Sequence, residues 1–371
     1  MPMKTVSRPP SDIRYFPDAD DLASRMSPEH VEHVREIFNT PLTGAYNWDY
    51  QSCDGRIRKL YKLGKELNWD AEMNLDWSDT LPRTEFCTDQ NFNLFRGYEP
   101  YDALSEEDKI RFDWHQLASN LSQFLHGEQG ALLVASQLVS CAPTYDAKLY
   151  AASQSFDEAR HVEVFNTFIQ KEIGFMYPVH PGLKALLDKI LTDPRWDLKF
   201  IGMQIILEGL ALAAFKSNRA ATRIPVLNEL LRLVIRDEAR HVTFGVNYLE
   251  EYCKNLTDQE REDRGQFAYE ACVVMRDRLI SDDVFLEFGW DPEAARERVL
   301  ASTVLGDFRN ILFSRIVPNL KRIGLLTEAV RPRFEALGLL DYEHLDSDAE
   351  IDWARLSKPL FDGREGDSRV A

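Results

Sequence analysis

The sextet DEARHV occurs twice, at Asp157–Val162 and again at Asp237–Val242. Inside each copy stands Glu-x-x-His: Glu158 with His161, and Glu238 with His241. On an α-helix, residues three apart lie about 60° apart around the axis and one turn along it, so both side chains of a pair reach one point. A single acid three residues before a histidine is common in helical proteins, but two identical copies are a far stronger signal. Upstream of each copy lies an isolated glutamate. Glu128 is the only Asp, Glu, Lys or Arg between Asp113 and Asp146, and Glu208 the only one between Lys199 and Lys216. Helices this apolar are wrapped by protein on most sides, where an ionised carboxylate costs several kcal/mol unless positive charge compensates it. Glu128 precedes Glu158 by 30 residues, and Glu208 precedes Glu238 by 30 as well. The chain therefore carries a helix-pair repeat at an offset of 80, with one glutamate on each leading helix and Glu-x-x-His on each following one. Four carboxylates and two imidazoles projecting into one bundle suit two metal ions that accept mixed oxygen and nitrogen ligands. The candidate metal ligands are Glu128, Glu158, His161, Glu208, Glu238 and His241.

The flanking letters of the sextet fit the same reading. A metal-bound imidazole needs its far N–H held by an acceptor, and Asp157 and Asp237 stand where each can reach a histidine of the opposite helix. Arg160 and Arg240 can neutralise those aspartates; the alternative is that both form helix-surface pairs of little worth. His126, two residues before Glu128, belongs to another side of its helix and is expected to pack or hydrogen-bond. Gln204 is either a polar neighbour of the site or core filling. Trp114, His115, Tyr145, Tyr150 and His180 are candidates for lining a pocket, with ordinary core or loop roles the stronger expectation for each.

From about Leu104 to Gly338 apolar residues recur at three and four, with Gly and Pro at the breaks, and strand signals are sparse. Ser105 followed by Glu106, Glu107 and Asp108 reads as a helix start. Further helices are expected over 144–174, 183–191, 196–217, 225–254, 258–280 and 291–323, and ahead of the bundle over 28–38 and 56–67. The organisation expected is an N-terminal extension (1–103), a four-helix bundle (104–255), additional helices of the same domain (256–346) and an acidic, poorly ordered tail (347–371).

Composition narrows the function classes. A formal charge of −17 repels nucleic-acid phosphate and anionic lipid, no basic patch is expected to offset it, and a basic partner suits it better. The five cysteines are scattered without CxxC spacing, which fits a reducing cytoplasm rather than a disulfide framework. The N-terminus lacks the apolar run of a signal peptide, and apolar stretches elsewhere are broken by Glu or Gln short of the roughly 20 residues a membrane span needs. No GxGxxG motif is present, so electrons for a redox reaction are expected from a separate reductase or ferredoxin.

At the six candidate ligands the chain resembles the ferritin-like di-iron carboxylate superfamily. It looks most like the aminobenzoate N-oxygenase-like group, through the "LNWDAEMNLDWSDTLP" stretch ahead of the bundle and the overall length. The resemblance implies an all-α, ferritin-like four-helix bundle core with additional N- and C-terminal helices. It implies an oxygenase that uses two Fe, or a Mn/Fe pair, with O2 to hydroxylate or N-oxygenate a small, mainly apolar or aromatic molecule; a homodimer is expected from the helical surfaces outside the four core helices. Desaturation, a ribonucleotide-reductase-like oxidase and a non-enzymatic iron-binding protein are the alternatives. Val234 stands where the N-oxygenases carry an extra histidine ligand, Ala135 where radical-generating subunits place a tyrosine, and Leu212 where multicomponent hydroxylases place a threonine. The small residues Gly209, Ala211, Ala213 and Ala214 after Glu208 are expected to open a roomy apolar pocket beside the metals.

Overall fold

The computed structural model describes residues 44–45, 48, 50–276, 280–301 and 303–349, with backbone alone for 303–312. The helix expected over 28–38 lies outside the described residues. In chain order the α-helices are α1 (Gly55–Glu66), α2 (Glu99–Asp102), α3 (Glu106–Cys141), α4 (Tyr145–Phe168), α5 (Pro181–Thr192), α6 (Trp196–Ala221), α7 (Pro225–Cys253), α8 (Asp258–Met275), α9 (Asp282–Glu287), α10 (Pro292–Leu300), α11 (Thr303–Arg322) and α12 (Arg331–Ala336). Among the described residues there is no β-strand, only an isolated bridge between Thr88 and Thr222.

Sequence signals set the limits of the four core helices, α3, α4, α6 and α7. The Ser105 side chain caps α3 by accepting from the Asp108 N–H, and the acidic first turn complements the helix dipole, so one uninterrupted helix of 36 residues follows. Thr144 caps α4. That helix ends in a π-turn, Ile169–Ile173, closed by Gly174 at φ 82°, a left-handed conformation that glycine adopts without strain. Pro225 opens α7 at a position where its missing N–H costs nothing. Within α6 the stretch Ile201–Leu207 is also π-helical and delivers the chain to Glu208. There α7 comes very close: a Cβ on Gly245 would lie 2.4 Å from the Cβ of Gln204, so only glycine permits the approach.

Several sequence expectations are corrected. The single helix expected over 291–323 is two, α10 and α11, parted at Ala301. The disorder expected from Ser347 does not hold at Asp348, which is 6% exposed; Arg315 and Asn319 hold its carboxylate and Thr243 donates to its carbonyl. Beyond residue 349 the tail lies outside the described residues. One helix, Trp196–Ala221, is long and apolar enough to cross a membrane, contrary to the reading that Glu or Gln interrupts every such run. Its apolarity serves the core, since 94% of its most apolar 18-residue window is buried within the bundle. A basic patch also exists: α1 exposes Arg56, Arg58, Lys59, Lys62 and Lys65 on its outer side.

Candidate metal centre

The core helices bring all six candidate ligands to one buried centre. Glu128 comes from α3, Glu158 and His161 from α4, Glu208 from α6, and Glu238 and His241 from α7, none more than 5% exposed. Their donor atoms fall into two overlapping groups, each within 4.8 Å: Glu128, Glu158, His161 and Glu238 in one, and Glu158, Glu208, Glu238 and His241 in the other. Glu158 and Glu238 belong to both groups, Glu128 and Glu208 to one each, so the arrangement follows the two-fold pattern of the repeat. His161 Nδ1 lies 3.3 Å from Glu128, 3.4 Å from Glu158 and 3.1 Å from Glu238. His241 Nδ1 lies 3.1 Å from Glu158 and 3.5 Å from Glu238.

The electrostatics show strain that cations would relieve. Burial, reinforced by the Glu238 charge, raises the Glu128 and Glu208 carboxyls well above the usual range. Burial also works against the charge on Glu158, but His241 and His161 outweigh it and hold that carboxyl low. Burial opposes charge on both imidazoles as well; the surrounding carboxylates overcome it and raise His161 and His241 well above their ordinary value. Buried Glu158 Oε2, Glu208 Oε2, both Glu238 oxygens and His241 Nδ1 have no hydrogen-bond partner. Orphaned buried oxygens of this kind are costly. These unpartnered donors and the mixed O/N set fit a pair of metal ions.

A second ring surrounds the first. The Nε2 of His161 lies 3.3 Å from Asp237 Oδ2, and that of His241 lies 3.2 Å from Asp157 Oδ2, each aspartate reaching across from the other helix. Arg160 Nη2 donates to Asp157 at 2.6 Å and to Asp237 at 2.8 Å. Arg240 Nη2 lies 2.9 Å from Asp157 and 2.8 Å from Asp237. All four charges are at most 5% exposed, so these are buried pairs rather than surface ones.

Three contributors escaped sequence reasoning. Gln154 donates to Glu158 at 3.1 Å and to Glu208 at 2.8 Å; its place one turn before Glu158 was the available signal. Trp69 Nε1 donates to Asp237 at 2.6 Å, and Asn68 accepts from Arg160 at 2.7 Å. Gln204 is the polar neighbour, with Nε2 3.5 Å from Gln154 Oε1. His126 bonds the Tyr177 carbonyl, His115 the Tyr177 hydroxyl, Trp114 the Glu85 carbonyl, and His180 caps α5. Tyr150 packs edge-on to His241. Tyr145 sits in an edge contact with Tyr50.

Beside the metal cavity runs a cleft lined by Gln123, Phe124, Ala131, Met203, Ala211 and Phe215, with Glu128, Glu208 and Glu238 at its inner end. The expected roominess is corrected. Of the four small residues only Ala211 lines the cleft; Gly209 faces Ile316, and Ala213 and Ala214 are core. Free space is about 20 Å3, enough for a molecule the size of water.

A helical bundle with this centre is a ferritin-like di-iron protein. The family model for p-aminobenzoate N-oxygenase AurF matches residues 52–324, and the chain belongs to that family. It is accordingly an oxidoreductase that acts with O2. Among solved structures it is similar to an R2-like ligand-binding oxidase. One variant of that oxidase with an anaerobically reconstituted Mn/Fe cofactor is 19% identical, with 69% of this chain and 93% of that chain covered and a TM-score of 0.44. Another such variant is 17% identical over 73% and 94%, with a TM-score of 0.45. The oxidase with an aerobically reconstituted cofactor is 16% identical over 72% and 98%, with a TM-score of 0.45. No curated protein sequence matches significantly.

Proposed function

We propose that Glu128, Glu158, His161, Glu208, Glu238 and His241 hold two iron ions, with manganese able to replace one, and that the enzyme oxygenates a small, mainly apolar or aromatic molecule. The observation that carries this reading is the meeting of two features at one point: the donor set with its unpartnered buried oxygens, and the apolar cleft that ends on Glu128, Glu208 and Glu238. When bound, the metal pair supplies the electrons and the Lewis acidity for O2 activation. The chain's residues do the rest. Glu158 and Glu238, shared between the two donor groups, would hold both ions. Asp157 and Asp237 hold the imidazoles in orientation through their Nε2 atoms, and Gln154 pins Glu158 and Glu208 through one carboxamide. Phe124, Met203 and Phe215 exclude bulk water and orient an apolar substrate. Because the free space is water-sized, an organic substrate enters as these flexible or edge-on side chains rotate.

Val234, fully buried and without a donor atom, leaves the ligand set at six side chains. That supports hydroxylation of a carbon centre ahead of N-oxygenation of an arylamine. Electrons come from a separate reductase or ferredoxin. The test is single-turnover oxidation of a panel of small aromatic compounds and arylamines under 18O2, comparing the protein with Ala211→Phe, which fills the cleft. Incorporation of label into a ring or side-chain carbon, lost in Ala211→Phe while iron content stays the same, is the expected result. Unlabelled product, or equal turnover by the filled variant, would refute the assignment of the cleft.

A further inference from the structure

The chain carries a charge of −17, yet α1, GRIRKLYKLGKE, holds five basic residues and a single acid. All five are exposed. Arg56 is engaged by Glu250 and Glu251, and Lys62 lies 3.5 Å from Glu66 of the same helix. Arg58 and Lys65 flank the Tyr61 ring at 5.6 and 4.6 Å, and with Lys59 and Lys62 they form a positive face. The inner side of α1, through Ile57, Leu60, Leu63 and Gly64, packs on α4 and α7, the two helices that bear Glu-x-x-His. Its C-terminal extension is wired to the aspartate–arginine ring: Leu67 O accepts from Arg236, Asn68 from Arg160, and Trp69 donates to Asp237, which lies 3.3 Å from His161 Nε2. Beside α1 a cleft of about 400 Å3, lined by Tyr61, Lys65, Asn68 and Phe156, reaches Asp157. Phe156 is 61% exposed at its rim. An exposed aromatic beside charged side chains is a feature of protein-binding surfaces.

We propose that the basic face of α1 is the docking surface for a small acidic protein carrying a one-electron iron–sulfur centre, seated over the aspartate–arginine ring that holds the two histidines. The inference rests on the metal-centre reading and names the partner's chemistry and its place. Charge complementarity selects an acidic partner against the sign of the whole molecule, and such steering raises association rates by about 10- to 1,000-fold at low salt. Position selects an electron donor rather than a carrier of substrate. The face overlies the Nε2 side of the histidines, whereas the apolar cleft ends on Glu128 and Glu208. Each docking passes one electron: the reduced cluster is oxidised and one ferric ion becomes ferrous, so two dockings reduce the pair. Trp69–Asp237–His161 is the shortest hydrogen-bonded route on this side.

The test uses the full chain and a reduced acidic [2Fe–2S] ferredoxin. Binding is measured on the metal-free protein, and cluster reoxidation by stopped flow on the iron-loaded, oxidised protein. Lys59→Glu with Lys62→Glu is compared with Lys171→Glu plus Lys321→Glu, exposed lysines elsewhere that make the same change in net charge. The α1 pair is expected to lose at least 10-fold in affinity and in reoxidation rate at low salt, and the control pair less than 3-fold. Dithionite with methyl viologen should reduce all the loaded proteins alike, which separates a failed docking surface from a failed metal centre. Trp69→Phe is expected to keep binding while slowing reoxidation. Absence of ferredoxin binding, equal losses in both pairs, or a change in sedimentation confined to the α1 pair, which would mark the face as a self-association surface, overturns the proposal. Competition by DNA or anionic vesicles stronger than that by ferredoxin overturns it as well.

Discussion

Replacing Glu208 by glutamine separates the cost of the buried carboxyl from its use as a ligand. Burial and the Glu238 charge raise this carboxyl well above its ordinary value, which favours its neutral, protonated form in the metal-free protein. A carboxamide of the same shape is then nearly isoelectronic with it, and its oxygen still accepts from Gln154, which donates to Glu208 at 2.8 Å. The metal-free variant should melt within about 2 °C of the parent, because volume and hydrogen bond are both kept. The loaded protein behaves differently. At metal concentrations 100 times Kd each ion stabilises the fold by about 2.7 kcal/mol. An unfolding entropy of roughly 2.1 cal/mol/K per residue, over 371 residues, gives about 0.8 kcal/mol/K. Each ion is therefore worth about 3.5 °C, and the pair about 7 °C. Glu208 belongs only to the group with Glu158, Glu238 and His241, so the variant should keep about half of that rise and about half of the bound iron. Scanning calorimetry on chelator-stripped and anaerobically Fe(II)-loaded protein, with elemental analysis, measures both. A metal-induced rise equal to the parent's shows that Glu208 is not a ligand. A metal-free variant that falls as far as the loaded one shows a purely structural carboxyl.

Asp157→Asn keeps the shape of the aspartate but removes the charge that faces His241, Arg160 and Arg240; iron affinity should fall about 10- to 100-fold with little change in helical circular dichroism, and unchanged iron content would show the aspartate to be dispensable. Asp193, at the C-terminal cap of α5, is held below its ordinary value: burial opposes its charge, but hydrogen bonds from Arg195 and Lys189 prevail. A depressed carboxyl stabilises the fold above the unfolded pKa of about 3.9 and loses that contribution as pH falls toward the folded value. In urea titrations the stability gap between parent and Asp193→Asn should therefore narrow by about 1 kcal/mol from pH 6 to pH 3; a constant gap would contradict the ion-pair account.

The convergence of the six side chains was legible because it depends on helical periodicity and on the 30- and 80-residue spacings, which survive any detail of packing. The sextet's aspartates and arginines were legible for the same reason: they sit beside the ligands on the same two helices. What could not be read depends on tertiary geometry. The sharing of Glu158 and Glu238 between the two donor groups is a tertiary arrangement, as are the close approach of α6 and α7 at Gln204 and Gly245 and the π-helical stretch before Glu208. Trp69 meets Asp237 across 168 residues of sequence, and no local pattern announces that. The small residues after Glu208 were read as a pocket, but on a helix buried all round they serve close packing as readily as open space.

The two rings divide the electrostatic work. Asp157 and Asp237 face Arg160 and Arg240, so the outer ring balances its charge from side chains alone. The inner ring sets four glutamates against two histidines and leaves oxygens unpartnered; two divalent ions would match the four glutamates and let the imidazoles bind as neutral ligands. The outer ring therefore ties α4 to α7 whether or not metal is present and keeps each histidine aimed at the cavity, while the inner ring stays under-compensated until cations arrive. This gives a physical reason for duplicating the whole sextet and not only its Glu-x-x-His: each copy brings donor atoms to the centre it shares and, through its aspartate, an acceptor against the other copy's histidine.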